Sequence, residues 1–315
     1  MINKANYVLI DSSGKEIRDQ KGFPPFNLIV NDGEIQLYAG GYIPSHWHKE
    51  LELFVLLEGE IQIGIGNTTY QLQKGDGCFI NTEVLHSFTA TVPSPCTFRS
   101  FVFSADIVGG IPGSIFDAAY VRPLMESGVP FLLFKPDTED ALFFTQFNKA
   151  FHASVEEPYG YEFQVRDAFS NILLYAKSKC QNVPQRTVST VQEERLKEML
   201  GYINENLDKN ITVSQIAATV NICARECQRI FNQYLHYSPM EYVLRQRIFT
   251  AAKLLTNTDR AITDIALYCG FSNPSYFSKQ FKLLMGSAPR EYRTLFAVAF
   301  PESLSSPVSK KYPVV

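Results

Sequence analysis

Two stretches near the C-terminus of this 315-residue chain repeat one pattern. The first runs from Thr212 to Cys223 and on to Phe231, and the second runs from Ala261 to Ser272 and on to Phe281. Self-similarity at a fixed offset, here about 50 residues, indicates a repeated structural unit. Each copy predicts a short helix, a tight turn and a second helix with exposed polar side chains. This is the helix-turn-helix pattern, in which the second helix enters the major groove of DNA.

The charge distribution favours DNA contact by the C-terminal part alone. Residues 1–192 hold 14 Lys and Arg against 21 Asp and Glu, whereas residues 193–295 hold 13 against 10. The chain as a whole carries a net charge of −3, but its N-terminal part is net −7 and its C-terminal part net +3. A basic segment attached to an acidic one suits contact with phosphates at one end only.

The sequence also indicates a cellular compartment. It contains no apolar run of about 18 residues, so we expect no transmembrane helix and no membrane partner. Its first residues lack the basic and then apolar composition of a signal peptide. The six cysteines form no CxxC pair and no zinc spacing, which is typical of reduced thiols. We therefore expect a cytoplasmic protein.

The N-terminal half changes from a strand pattern to a helical one. Residues from about 26 to 104 contain short apolar runs separated by turn signals, which is typical of a small barrel or sandwich. From Ile115 the pattern becomes helical, and a polar segment with a proline at 182–192 predicts a linker. Residues 193–297 predict helices throughout. The last residues, 298–315, are rich in Pro, Ser and Lys and predict a disordered tail.

Start signals define the helices of the repeat. Thr212 predicts a cap for the first helix, with Gln215 completing a capping box. The second copy has Ala261 at that position, so we expect no such box. Ser272, with Pro274 in the first turn, predicts the cap of the second recognition helix.

A long helix is predicted between the two copies. It begins at the Ser238–Pro239 signal, with Glu241 in its first turn, and runs to about Leu255. A rigid connection of this kind would hold the two recognition helices about 34 Å apart, which is one turn of DNA.

The C-terminal repeat resembles the DNA-binding domain of the AraC/XylS family of bacterial transcription regulators. The resemblance rests on three segments, Arg247–Leu255, Ile262–Lys282 and Gly286–Arg293. It implies base contacts from six residues of the recognition helices: Arg225, Gln228 and Arg229 in the first copy, and Ser275, Tyr276 and Lys279 in the second. Arg pairs well with guanine and Gln with adenine. The alternative is that the two arginines contact only phosphates or solvent.

The N-terminal part resembles both cupin motifs. The first is Gly40-x5-His46-x-His48-x3-Glu52-x6-Gly59. The second is Gly75-x5-Asn81-x-Glu83-x2-His86, in which Asn81 and Glu83 replace the usual Pro and Gly. Side chains alternate along a strand, so His46 and His48 share one face. We expect Glu52 and His86 to converge with them inside a barrel.

Three interpretations of this cluster stay open. The resemblance implies the ligand set of metal-dependent cupins, because three imidazoles and one carboxylate suit Zn, Mn, Fe or Ni. Alternatively, His46, His48, Glu52 and His86 line a pocket for a small polar effector, with a sugar as the leading class by family resemblance. The histidines could also be purely structural.

The helices at 113–181 resemble the dimerisation region of the same family. The helix around Glu162 to Lys177 carries an apolar stripe at helical spacing, made of Phe163, Val165, Phe169, Ile172, Leu173 and Ala176. An apolar stripe at this spacing is usually core, but two helices appended to a barrel have little core to join, so we expect the stripe to form a homodimer.

The predicted fold is α+β and multidomain. It comprises a cupin-like barrel at 1–112, a helical dimerisation segment at 113–181, a linker at 182–192, a tandem helix-turn-helix domain at 193–297 and a tail at 298–315. The predicted function is a non-enzymatic, DNA-binding transcription regulator that responds to a small polar metabolite. A metal-responsive regulator and a cupin metalloenzyme fused to a DNA-binding domain are the alternatives.

Overall fold

The structure is a computed structural model. It describes residues 2–3, 26–38, 41–91, 94–180 and 191–297. Gly40 of the first cupin motif, most of the predicted linker and the predicted tail at 298–315 lie outside the described residues. The first helix after the linker begins at Val191, so the last two residues of the predicted linker are helical.

The N-terminal part folds into two β-sheets that are antiparallel apart from the short first strand. The strands are β1 (Ile2–Asn3), β2 (Leu28–Glu34), β3 (Tyr42–His46), β4 (Leu51–Leu56), β5 (Glu60–Ile65), β6 (Thr68–Gln73), β7 (Gly77–Ile80), β8 (His86–Ala90), β9 (Thr97–Phe103) and β10 (Phe131–Phe134). The larger sheet has the order β1-β2-β9-β4-β7-β10, and the smaller has the order β3-β8-β5-β6. A single 3-10 turn at Ile35–Leu37 follows β2.

The two sheets enclose an aromatic and aliphatic core. Phe54 on β4 stacks on Phe88 of the smaller sheet at 4.8 Å and on Phe98 at 5.1 Å between ring centroids. Successive side chains of a strand point to opposite faces. Glu52 and Phe54 therefore share the interior face of β4, whereas Leu53 belongs to the core on the outer side of the sheet.

Helices follow β9 along the chain. They are α1 (Asp106–Gly109), a π-helical turn (Asp117–Val121), α2 (Arg122–Met125), α3 (Ala141–Glu156), α4 (Tyr161–Cys180), α5 (Val191–Glu205), α6 (Val213–Ala218), α7 (Ala224–Leu235), α8 (Pro239–Asn257), α9 (Ile262–Tyr268), α10 (Pro274–Met285) and α11 (Pro289–Ala297). Strand β10 lies between α2 and α3. No helix in the described segments is long and apolar enough to cross a membrane.

The apolar stripe of α4 packs inside the monomer. Phe101 on β9 contacts Phe147 of α3 at 4.9 Å and Phe169 of α4 at 5.1 Å between ring centroids. Five of the predicted stripe residues are buried in this core: Val165, Phe169, Ile172, Leu173 and Ala176. The prediction that they mediate self-association is therefore wrong, because the outer face of the larger sheet covers them. Only Phe163 of the stripe is largely exposed, at 77%.

The segment predicted as helical also contributes a strand. Phe131–Phe134 forms β10 and pairs with β7 at the edge of the larger sheet. The segment is therefore joined to the sheets by backbone hydrogen bonds as well as by helix packing.

The chain divides into two compact units. The first comprises Met1–Asn206 and Ile211–Val243, and the second comprises Leu207–Asn210 and Leu244–Val315. The first helix-turn-helix, α6 and α7, belongs to the first unit, and the second, α9 and α10, belongs to the second unit. The division falls within α8 rather than at the predicted linker. The 34 Å separation of the recognition helices stays a prediction.

Candidate effector site and DNA-binding helices

Four side chains of the cupin-like motifs meet in the interior of the sheets. His46 ends β3, His48 follows it by two residues, Glu52 lies on β4 and His86 begins β8. Their ligand atoms lie within 4.8 Å of one another, and all four side chains are buried. His46 and His86 are paired across the smaller sheet. Glu52 reaches them because it shares the interior face of β4 with Phe54.

The backbone fixes the orientation of each imidazole ring. Every Nδ1 lies at hydrogen-bonding distance from a main-chain carbonyl: His46 with Pro44 at 2.8 Å, His48 with Glu50 at 3.0 Å and His86 with Val84 at 2.8 Å. A carbonyl oxygen can only accept, so each Nδ1 must donate a hydrogen. In a neutral ring the Nε2 atom then carries a lone pair, and this is the arrangement of a metal-binding histidine with its supporting acceptor.

With all three rings neutral the centre of the cluster lacks a proton donor, whereas a ring that also carries a proton on Nε2 would donate it to Glu52. Glu52 Oε2 lies 3.3 Å from His48 Nε2 and 3.2 Å from His86 Nε2. His86 Nε2 is buried and has no hydrogen-bond partner among the described residues. A carboxylate and nitrogen lone pairs repel one another at such distances unless a proton or a cation lies between them. The four residues therefore fit a bound cation.

The electrostatics of the cluster favour a neutral His46 beside an ionised Glu52. Burial, and to a lesser extent the neighbouring His86 and His48, lower the pKa of His46 well below its ordinary value. Burial alone would raise the pKa of Glu52, but the His48 and His86 rings beside it hold that pKa below its usual range. A neutral imidazole and a carboxylate are the protonation states that metal coordination requires.

The first helix-turn-helix has the predicted cap. The Thr212 side chain accepts a hydrogen bond from Gln215 N at 3.3 Å, and Thr212 N donates to Gln215 Oε1 at 2.9 Å. Both halves of the capping box are thus present. On α7, Arg225, Gln228 and Arg229 are exposed.

The opposite face of α7 forms the core of this motif. Cys227, Ile230 and Phe231 are buried there. The side chains named for base contact thus share the solvent face of the helix, and their contact with DNA stays a prediction.

The second helix-turn-helix differs from the prediction at its cap. Asn273, not Ser272, caps α10, because its Oδ1 accepts from Ser275 N at 2.9 Å and from Tyr276 N at 3.1 Å. Ala261 provides no side-chain cap to α9, as expected. Ser275, Tyr276 and Lys279 are exposed on α10, whereas Phe277 and Phe281 are buried.

Comparisons with known proteins match both halves of the chain. The family model of the AraC-like ligand binding domain matches residues 31–157, and that of a helix-turn-helix domain matches residues 216–294. An uncharacterized HTH-type transcriptional regulator, YdeC of Bacillus subtilis, is 27% identical over 92% of this chain and 99% of its own length. The chain belongs to the AraC family of transcription regulators.

Two further relatives of this AraC-family regulator have named functions. The melibiose operon regulatory protein of Escherichia coli K12 is 25% identical over 83% of this chain and 87% of its own length. The lactose operon transcription activator of Staphylococcus xylosus is 25% identical over 89% of this chain and 96% of its own length. The matched domains and these relatives assign transcription regulation to the chain and not catalysis.

The structure of this AraC-family regulator adds residues that the sequence did not single out. Glu226 pairs with Arg229 through two bonds of 2.7 and 2.8 Å, and Gln233 accepts from Arg229 at 2.8 Å. Asn232 on α7 and Lys282 on α10 are exposed beside the predicted contacts. Their helical spacing of three or four residues from Arg229 and Lys279 is the signal that could have identified them.

Proposed function

We propose that this AraC-family regulator controls transcription in response to a small ligand held in its N-terminal domain, and that the ligand site contains a divalent metal. His46, His48, Glu52 and His86 would hold the ion. Imidazole and carboxylate donors suit Zn, Mn, Fe or Ni. The bound metal would supply a positive charge that fixes the orientation of the four side chains.

The hydrogen bonding of the three Nδ1 atoms is the observation that carries the metal proposal. It turns the Nε2 atoms of His48 and His86 toward the Glu52 carboxylate, at 3.3 and 3.2 Å, in a buried group whose ligand atoms lie within 4.8 Å of one another. A nitrogen lone pair held against a buried carboxylate is unfavourable, and a cation between the two would remove that repulsion.

A small polar metabolite is the second candidate for the signal, and a sugar is its leading class. The names of two relatives favour it, since they describe a melibiose operon regulator and a lactose operon activator that align with most of this chain. The two candidates are compatible, because a metal could organise the site in which a metabolite binds.

His48→Ala tests the metal proposal. The wild-type protein should purify with, or take up, about one equivalent of Zn, Mn, Fe or Ni, and the variant should take up none, because removing one of four ligands weakens coordination strongly. Mass spectrometry of the metal content measures this, and DNA affinity without metal should persist in the variant. Wild-type protein that takes up none of these ions would refute the metal proposal, and a thermal-shift panel of sugars would then examine the second candidate.

We propose that both motifs contact DNA. Arg225, Gln228 and Arg229 would read bases in one major groove, and Ser275, Tyr276 and Lys279 would enter the next, where Lys279 would bind phosphate. Footprinting should then show two protected half-sites about 10 bp apart, centre to centre. Protection of a single groove would mean that the second motif is structural.

We propose a homodimer that pairs through a face other than the buried stripe. Ile111, Ile115, Phe116 and Phe163 are 79%, 65%, 52% and 77% exposed, and all but Ile111 lie in the segment that resembles the dimerisation region. Sedimentation of Phe163→Asp against wild type tests this, since a charge at a pairing face should produce monomers.

A further inference from the structure

Lys197 contacts two loops next to the clustered histidines, the loop between β3 and β4 and the loop between β7 and β8. Lys197 on α5 donates from Nζ to the Glu83 carbonyl at 2.8 Å, and the same atom lies 4.6 Å from the centroid of the Trp47 ring. Trp47 stands between His46 and His48 in sequence, and Glu83 lies three residues before His86. Lys197 therefore contacts the neighbours of three of the four clustered side chains.

The Glu83 backbone is held in an unfavourable conformation. Its φ is 60°, in the left-handed region where the cupin motif usually has a glycine. Such a conformation is strained for a residue that carries a side chain. Glu83 N donates to the His48 carbonyl at 2.7 Å, and Lys197 binds the carbonyl of the same residue. Hydrogen bonds on both sides of Glu83 thus maintain the strained turn.

The other side of α5 contacts the first helix-turn-helix. Leu196, Met199, Leu200 and Ile203 are buried, and α5 packs against both α6 and α7. The hydrogen bond with Arg229 and the charge of that residue lower the pKa of Glu226 on α7, and the charge of Arg195 on α5 makes the smallest contribution in the same direction. Helix α5 therefore touches the histidine site through Lys197 and the recognition helix through its apolar face.

We propose that Lys197 is a positioning residue that couples the His46, His48, Glu52 and His86 site to the first recognition helix. The proposal rests on the ligand-responsive function proposed above. A ligand that moves the His48 or His86 connection would shift the Glu83 turn, and Lys197 would transmit that shift to α5. Coupling between two sites is reciprocal, so DNA bound at α7 must also alter the surroundings of Trp47.

Trp47 permits a direct test, because it is the only tryptophan in the chain. The probe is a duplex selected by the full-length protein from a random-sequence library. Addition of this duplex should change the tryptophan emission of the wild type. Lys197→Met keeps the apolar stem but removes the ammonium group, so it should lose at least about half of that change while DNA affinity stays within about threefold. Lys197→Arg should restore the change, because arginine keeps the charge, the donor and the contact with the ring.

A matched control is Lys74→Met, which removes an exposed lysine that pairs with Glu58. It should behave as the wild type does. An unchanged emission response in Lys197→Met, or no response in the wild type, would overturn the coupling role of Lys197. The rescue by Lys197→Arg separates loss of coupling from loss of folding.

A second measurement separates this proposal from the metal proposal. The DNA affinity of the wild type is measured once in the presence of Zn²⁺ and once in the presence of a chelator, and the ratio of the two affinities should reach about fivefold. In Lys197→Met the ratio should approach one while Zn²⁺ is still taken up. Absence of Zn²⁺ uptake by the wild type refutes the metal site alone, since the DNA-dependent emission of Trp47 still decides the role of Lys197.

Discussion

The two helix-turn-helix motifs share a backbone pattern but stabilise it at different points. The first motif caps its first helix with Thr212, whereas its recognition helix begins at Cys223 with no side-chain cap. The second motif has the reverse arrangement, because α9 begins at Ala261 without a cap and α10 is capped by Asn273. A cap contributes about 1 kcal/mol. Each motif thus has a side-chain cap on one of its two helices, and only in the second motif is the capped helix the recognition helix.

The turns of the two motifs also use different residues for one conformation. Asn221 has a φ of 54° where Gly270 has 79°. After the recognition helix, His236 has a φ of 57° where Gly286 has 77°. Asparagine and histidine tolerate this left-handed region better than most residues. The repeat therefore preserves backbone geometry, while the side chains that achieve it have diverged.

The exposed faces differ in chemistry. The first recognition helix presents Arg225, Gln228 and Arg229, whose planar end groups can make two hydrogen bonds to the edge of a base. The second presents Lys279 and Lys282, which act as point charges. We therefore expect the first motif to determine sequence preference and the second to contribute mainly phosphate binding.

The largest expected effect is on stability, at the turn of the second motif. A Cβ atom on Gly270 would lie 2.3 Å from the Leu207 carbonyl oxygen, in addition to the strain of a φ of 79°. Gly270→Ala should lower the free energy of unfolding by about 2–4 kcal/mol, as urea denaturation would measure. Gly286→Ala is the matched control, because its φ is 77° but its Cβ would meet nothing within 4 Å. Equal losses for the two variants would show that the close approach to Leu207 is unimportant.

The next effect is on DNA binding. Arg229→Ala should cost about 1–3 kcal/mol on the selected duplex and relax base preference at one position. Lys279→Ala should instead weaken binding to all sequences alike. It should also reduce the slope of log affinity against log salt concentration by about one, as expected for the loss of one phosphate contact. Titrations on selected and scrambled duplexes at several salt concentrations measure both. If Lys279→Ala changed base preference and Arg229→Ala did not, the division of roles between the motifs would be reversed.

The smallest effect concerns the caps. Asn273→Ala should destabilise the protein by about 1 kcal/mol, whereas Cys223→Ser should stabilise it by about 0.5–1 kcal/mol by supplying the cap that α7 lacks. Thermal unfolding measures both changes. Ser272→Ala is the control and should change little, since Asn273 makes the capping bonds. A larger loss for Ser272→Ala than for Asn273→Ala would contradict this assignment.

The sequence predicted features that depend on local spacing. The internal repeat predicted both helix-turn-helix motifs, and Thr212 with Gln215 predicted a capping box that the structure contains. The alternation of a strand predicted that His46 and His48 would meet, and the structure brings them together. Such features could be predicted because the residues responsible lie within a few positions of one another.

Features that depend on distant contacts could not be predicted in the same way. The stripe on α4 has the same spacing whether it packs on another molecule or, as here, on Phe101 of the larger sheet. Ser272 and Asn273 are adjacent and both favour caps, so composition could not choose between them. The contact of Lys197 with Glu83 spans 114 positions, and no local pattern indicates it.

The ion pair between Glu226 and Arg229 bears on how the first motif rejects incorrect DNA. A free arginine side chain loses about 2 kcal/mol of rotational freedom when it is immobilised. Here Glu226 and Gln233 already hold the guanidinium of Arg229, so much of that ordering precedes the encounter with DNA. The carboxylate of Glu226 also repels phosphate. Glu226 already occupies Nε and one Nη of Arg229, which are donors that a guanine edge would use, so a base must replace both bonds of the carboxylate, whereas a single phosphate contact would not compensate for their loss.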